Sequence, residues 1–65
     1  MMRVTLHAPK RTEQIDAVSS VNQLLDRLGL SREGHLVICN GTLVPGDARL
    51  DDADDIEIRP VISGG

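Results

Sequence analysis

Ser20-Val21-Asn22-Gln23-Leu24-Leu25-Asp26-Arg27-Leu28-Gly29 is the stretch on which the architecture turns, because its period differs from that of the chain on either side. Val21, Leu24, Leu25 and Leu28 fall at i, i+3, i+4 and i+7, the spacing that lines one face of a helix. Ser20 can accept from the backbone N–H of Gln23 while the Gln23 side chain returns to Ser20, as in a capping box. Gly29 suits the position just past the last turn, where a positive φ costs glycine little. One amphipathic helix is therefore expected, starting after Ser20 and closing at Gly29.

On both sides of this helix the period falls to two. Met2 to Ala8 alternates, with Val4 and Leu6 on one face and Arg3, Thr5 and His7 on the other, and Pro9-Lys10 marks a turn. Thr12 to Val18 is a weaker strand candidate, with Ile15 and either Ala17 or Val18 inward, so the opening reads as a hairpin. After the helix, His35 to Asn40 is apolar and β-branched. Asn40-Gly41 followed by Thr42-Leu43-Val44 is a strong hairpin signal, since a type I′ turn needs positive φ at both central residues. Pro45-Gly46-Asp47 ends that strand, and Ile56 and Ile58 alternate with Glu57 and Arg59 in a last one. Strand, strand, helix, strand, strand, strand predicts a two-layer α+β domain, a mixed sheet of four or five strands with one helix across it.

Composition bounds what such a domain can do. The chain has 65 residues, no Phe, Tyr or Trp, and one cysteine. A domain of this size buries only about 60% of its unfolded surface, so modest stability is expected from an aliphatic core. Cys39 alone cannot form an internal disulfide, which favours a reducing cytoplasm. The longest aliphatic run, Leu36 to Cys39, is far short of a membrane span, and the N-terminus lacks a signal-peptide core, so no membrane partner is expected. A net charge of -3 and the missing aromatics argue against direct nucleic-acid binding.

The domain is expected to occupy residues 1–61, leaving Ile62-Ser63-Gly64-Gly65 as a flexible tail that can extend roughly 13 Å. Two terminal residues without Cβ atoms can lie in a channel too narrow for side chains, and they deliver one reactive group, the Gly65 carboxylate. A carboxylate is a poor electrophile, so a partner must first convert it to a mixed anhydride with AMP. Sulfide or a persulfide can then displace AMP to give a thiocarboxylate.

Other residues read more plainly. Cys39 alternates with Ile38 in a strand and is expected to be a packing residue. His7 and His35 with one cysteine make no zinc spacing, and no metal or catalytic residue is expected. The run Asp51-Asp52-Ala53-Asp54-Asp55 lacks the Gly and final Glu of a calcium loop and reads as a solvated turn. Leu43 or Val44, with Pro60 and Ile62, are candidates for an apolar docking patch on the open face of the sheet, leading to the tail.

The whole chain resembles the ThiS/MoaD family of prokaryotic ubiquitin-like sulfur carriers, which share the β-grasp fold. Val37-Ile38-Cys39-Asn40-Gly41-Thr42-Leu43-Val44-Pro45 is similar to the Asn-Gly hairpin and following Val-Pro of thiamine-pathway carriers. Pro60-Val61-Ile62-Ser63-Gly64-Gly65 is similar to the Pro-Val-Ala-Gly-Gly ending of molybdopterin carriers and, through Ile-Ser-Gly-Gly, to carriers for tRNA 2-thiouridine. The resemblance implies that Gly64 and Gly65 are the site of adenylation and thiocarboxylation. It implies a ubiquitin-activating-type adenylyltransferase using ATP, a sulfur donor such as a cysteine desulfurase or rhodanese, and an acceptor enzyme, with no cofactor bound to the carrier itself. Having no aromatics near its tail, the chain departs from the molybdopterin carriers, and Ile-Ser before Gly-Gly tilts the reading towards tRNA thiolation over thiamine. Two alternatives stay open: a protein modifier joined to lysines through Gly65, and a β-grasp interaction module without C-terminal chemistry.

Overall fold

The computed structural model describes residues 2–7, 9–16 and 18–61. Its elements are β1 (Met2–Leu6), β2 (Arg11–Ile15), α1 (Val21–Leu28), β3 (His35–Cys39), β4 (Thr42–Val44) and β5 (Asp55–Pro60), in the expected order. They form one five-stranded sheet, β2-β1-β5-β3-β4, in which the first and last strands run parallel at the centre and every other pairing is antiparallel. A mixed five-stranded sheet carrying one helix is the ubiquitin-like β-grasp.

Helix α1 forms where its apolar stripe predicts. Val21, Leu24 and Leu25 are buried, and Leu28 is half-buried against the same cluster. The Ser20 hydroxyl accepts from Gln23 N at 3.2 Å, and Gly29, at φ 73°, donates back to the Asp26 and Leu25 carbonyls. The return leg of the capping box differs from expectation: Gln23 Oε1 accepts from the backbone N and hydroxyl of Ser19, at 2.8 and 2.9 Å, instead of from Ser20. Ser20 is held extended in an antiparallel bridge with Arg49, which puts Ser19 within reach of the glutamine. The other first-turn amides are met by the loop after β4, Val21 N donating to Ala48 O and Asn22 N to Gly46 O. Gly46 leaves room there for the Asn22 side chain, which would have to shift to make way for a Cβ 2.5 Å from its Oδ1.

The core lies between this helix and the sheet: Met2, Val4, Leu6, Val37, Ile56 and Ile58 from the sheet, Ile15 and Val18 from the second strand and its exit, and Leu50 from the long loop. Among the described residues no polar or charged side chain is buried. Strand β2 is shorter than the Thr12–Val18 expectation and shifted towards the turn. Ile15 already pairs with Met2, the first residue of β1, so beyond it the chain has no strand to pair with. Val18 reaches the core from outside the strand, and Ala17 lies outside the described residues. Strand β1 likewise ends at Leu6, with His7 in the turn.

Asn40 and Gly41 take φ of 52° and 85°, both positive as the two-residue hairpin between β3 and β4 requires. Asn40 has a further role that its turn propensity does not announce. Its Nδ2 donates to Asp54 Oδ1 at 3.0 Å, its Oδ1 accepts from Asp55 N at 2.8 Å, and its own N–H donates to Asp55 O at 2.8 Å. Asp54 Oδ2 also accepts from Asp51 N at 2.8 Å. The acidic run is thus an exposed turn, as read, but one organised around the Asp54 carboxylate.

Candidate functional site

The pleat of the sheet sends alternate residues to opposite faces, and this sorts the predicted docking residues. Val44 pairs with Val37, Pro60 pairs with His35, and by alternation with Ile56 and Ile58 both lie on the helix side. Leu43 pairs with Ile38 on the open side and is 60% exposed. The structure therefore places Leu43 apart from Val44 and Pro60, and a single open-face patch holding Val44 and Pro60 is not what the fold makes. One residue of register decides between the two faces.

What accompanies Leu43 was missed in the sequence. Leu36, two residues before Ile38 and opposite Arg59, shares the open face, and Val61 continues the alternation of Glu57 and Arg59. Val61 N donates to Gly34 O at 2.8 Å, which fixes its place at the end of the sheet. Leu36, Leu43 and Val61 are the exposed large hydrophobics among the described residues, and all three fall on this one side. With Ile38 between them they make a run from the β4 edge to Val61, the last described residue. The signal was available: His35 to Cys39 is apolar throughout, and a strand with only one buried face must present half of that run to solvent.

Beside the apolar run stands a charged group. Glu57 Oε2 accepts from Arg59 Nε at 2.7 Å and pairs with its terminal nitrogen at 2.6 Å. His7 Nε2 lies 2.7 Å from the same oxygen, off the line a hydrogen bond needs, so this contact is an ion pair only when the imidazole is protonated. Partial burial acts to raise the Glu57 pKa, but the Arg59 guanidinium and then His7 outweigh it, and the carboxyl is held below the usual glutamate range. Thr5, His7, Ile38, Glu57 and Arg59 line a shallow depression of about 310 Å³ here.

Cys39 sits half-buried on the helix side, opposite Ile56 and Thr42. Burial first, and then the hydrogen bond and negative charge of Asp54, push its thiol above the ordinary value, the reverse of what a nucleophilic cysteine needs. The His, Cys, Asp and Glu side chains among the described residues form no group of three that could hold a metal. Among the described residues no helix is long and apolar enough to cross a membrane. Ile62, Gly64 and Gly65, the remaining predicted site residues, lie outside the described residues.

A search of curated proteins returns no match for this chain. A family model described as the ThiS family matches residues 3–65, which takes in all of the sheet but Met2, the helix and the Gly64-Gly65 ending. The β-grasp framework and that match agree, and the chain belongs to the ThiS family of small sulfur carriers.

Proposed function

We propose that this protein carries sulfur on its Gly65 carboxylate, activated by a ubiquitin-activating-type adenylyltransferase. The observation that carries this reading is the family match running through Gly64-Gly65. In the first step the carboxylate attacks the α-phosphorus of ATP, forming an acyl-adenylate and releasing pyrophosphate. In the second, hydrosulfide attacks the acyl carbon, the C–O bond to AMP breaks, a proton is lost, and a thiocarboxylate remains. A persulfide donor, such as that of a cysteine desulfurase or rhodanese, would instead form an acyl disulfide with release of AMP, and a thiol must then attack the donor's sulfur to free the thiocarboxylate and leave a disulfide on the donor.

The carrier's own contribution is positional. The exposed run of Leu43, Ile38, Leu36 and Val61 supplies apolar area for docking directly upstream of the tail, and Gly64 and Gly65 supply a terminus without side chains. The ending Ile62-Ser63-Gly64-Gly65 favours tRNA 2-thiouridine as the destination of the sulfur, ahead of thiazole or molybdopterin synthesis.

Deleting Gly65, or adding one residue after it, is expected to abolish ATP–pyrophosphate exchange with the adenylyltransferase while leaving the thermal midpoint unchanged. Undiminished exchange by the shortened chain would end the proposal. Mass spectrometry of the protein from its native cell should show the gain of sulfur for oxygen at Gly65; Gly-Gly remnants on lysines of other proteins would point to conjugation instead.

A further inference from the structure

The two-residue turn between β3 and β4 holds a reactive dipeptide. The backbone nitrogen of Gly41 follows the Asn40 carboxamide with no Cβ beside it, so it can swing onto the side-chain carbonyl carbon with little hindrance. Asn22, the chain's other asparagine, precedes Gln23 and lacks that freedom. Asn40 and Gly41 are both exposed, so water reaches them. In the fold, however, the carboxamide is held at both ends. Its Nδ2 donates to Asp54 Oδ1 at 3.0 Å, and its Oδ1 accepts from Asp55 N at 2.8 Å. The guarding turn is itself pinned: Asp54 N donates to Asp51 O at 2.9 Å, and Asp54 Oδ2 accepts from Asp51 N at 2.8 Å. The Asp51 N–H and then the Asn40 side chain hold the Asp54 carboxyl below its usual range, so it stays a charged acceptor at neutral pH.

We infer that Asn40 is a site of self-deamidation which the Asp51–Asp55 turn keeps closed, so that the modification proceeds only when the turn lets go. Gly41 N attacks Asn40 Cγ, the bond from Cγ to the side-chain nitrogen breaks, and that nitrogen leaves with the Gly41 amide proton as ammonia. Water then opens the cyclic imide at either carbonyl, giving an aspartyl or an isoaspartyl residue. The net exchange is water in and ammonia out. Neither product restores the clamp. The aspartyl side chain still accepts from Asp55 N but has no hydrogen to offer Asp54, and two like charges face each other instead. The isoaspartyl product adds a methylene to the backbone of a turn whose two residues both need positive φ. Either product adds one negative charge to a chain of net charge -3, and the hairpin that carries Leu43 loses its tie to the start of β5. None of this chemistry depends on what Gly65 carries.

The test incubates the full chain at mildly alkaline pH, native and in urea, and follows ammonia loss by mass spectrometry of tryptic peptides. Cleavage after Arg11, Arg27, Arg32 and Arg49 puts Asn22 and Asn40 in separate fragments, and chromatography resolves the aspartyl and isoaspartyl forms. Asn40 is expected to react faster than Asn22 in urea, and roughly tenfold or more slowly in the native chain than in urea. Asp54→Ala, folded by circular dichroism, should recover much of the urea rate, and Asp54→Asn, which keeps an acceptor, should fall between it and the parent. Asn40→Asp, a copy of one product, should lower the thermal midpoint. Equal rates at Asn40 in the native chain and in urea would overturn the inference. So would an Asn40 no faster than Asn22 in urea, a native rate unmoved by either Asp54 variant, or a parent-like midpoint for Asn40→Asp. Should Asp54→Ala fail to fold, the parent's two rates and Asp54→Asn decide the matter.

Discussion

On the helix side of the sheet Met2, Val4, Leu24 and Ile56 have no exposed surface, whereas on the other side Leu36, Leu43 and Val61 leave between 43% and 60% of theirs in water. Both faces use the same aliphatic residue types, and strand β3 contributes to both: Val37 is buried while Leu36 and Ile38 beside it face outward. Hydrophobic side chains in this molecule thus serve two ends. Those under the helix hold the chain together, and those away from it are available to a partner, at the cost of leaving apolar surface exposed on a small domain.

Substitutions can separate the two faces. A domain of this size has a stability on the order of 3–10 kcal/mol. Truncating Leu24 or Ile56 to Ala should remove about 2–5 kcal/mol of it, enough to leave much of the protein unfolded at 37 °C, as followed by urea titration with far-ultraviolet circular dichroism. Leu43→Asp with Leu36→Asp should do the reverse: an unchanged or slightly raised midpoint, and adenylyltransferase affinity weakened about tenfold or more, which is about 1.4 kcal/mol or above. If the open-face pair destabilised the fold as much as Leu24→Ala, the division between the faces would not hold.

Cys39 lies at the margin of the helix side and sharpens the comparison further. Cys39→Ser should cost about 1 kcal/mol for placing a hydroxyl among apolar neighbours, while thiocarboxylate formation by the folded variant is retained. A folded variant that is adenylated but gains no sulfur would make the thiol part of the transfer.

The smallest effect is expected in acid. The backbone N–H of Asp51 and the side chain of Asn40 hold the Asp54 carboxyl below its ordinary value, and Arg59 and His7 do the same for Glu57. Groups whose folded pKa is depressed stabilise above their unfolded values and lose that contribution as pH falls through the folded ones. The thermal midpoint should therefore drop as pH falls below about 4, the ordinary carboxylate range. Asp54→Asn should flatten this part of the profile; an identical profile would show that the turn does not depend on the charge.

Element order and much of the core were legible because period is a local property: the helix, the Asn40-Gly41 turn and the Ile56–Ile58 alternation each follow from residues within a few positions of one another. Leu50 in the core, the two roles of Asn40 and the shift of the Gln23 bond to Ser19 were not, since each depends on a segment distant in sequence. The candidate site divides the same way. Gly64 and Gly65 were singled out from the chain ending and the family likeness alone, but the docking residues needed strand register, which put Val44 and Pro60 on one side and brought Leu36 and Val61 to Leu43 on the other.

The central pairing of β1 with β5 also governs how the molecule comes into being. Arg3 meets Asp55 and Leu6 meets Ile58, so the middle of the sheet joins the first and last strands and must close a loop spanning most of the chain. Such distant pairing slows folding relative to a helical bundle of similar size. During synthesis the β1–β2 hairpin can form early, but Val4 and Leu6 have no parallel neighbour until β5 has left the ribosome. The strand that completes the fold is therefore also the one that leads into the Gly64-Gly65 ending, and a nascent chain gains its full core only once β5 has emerged.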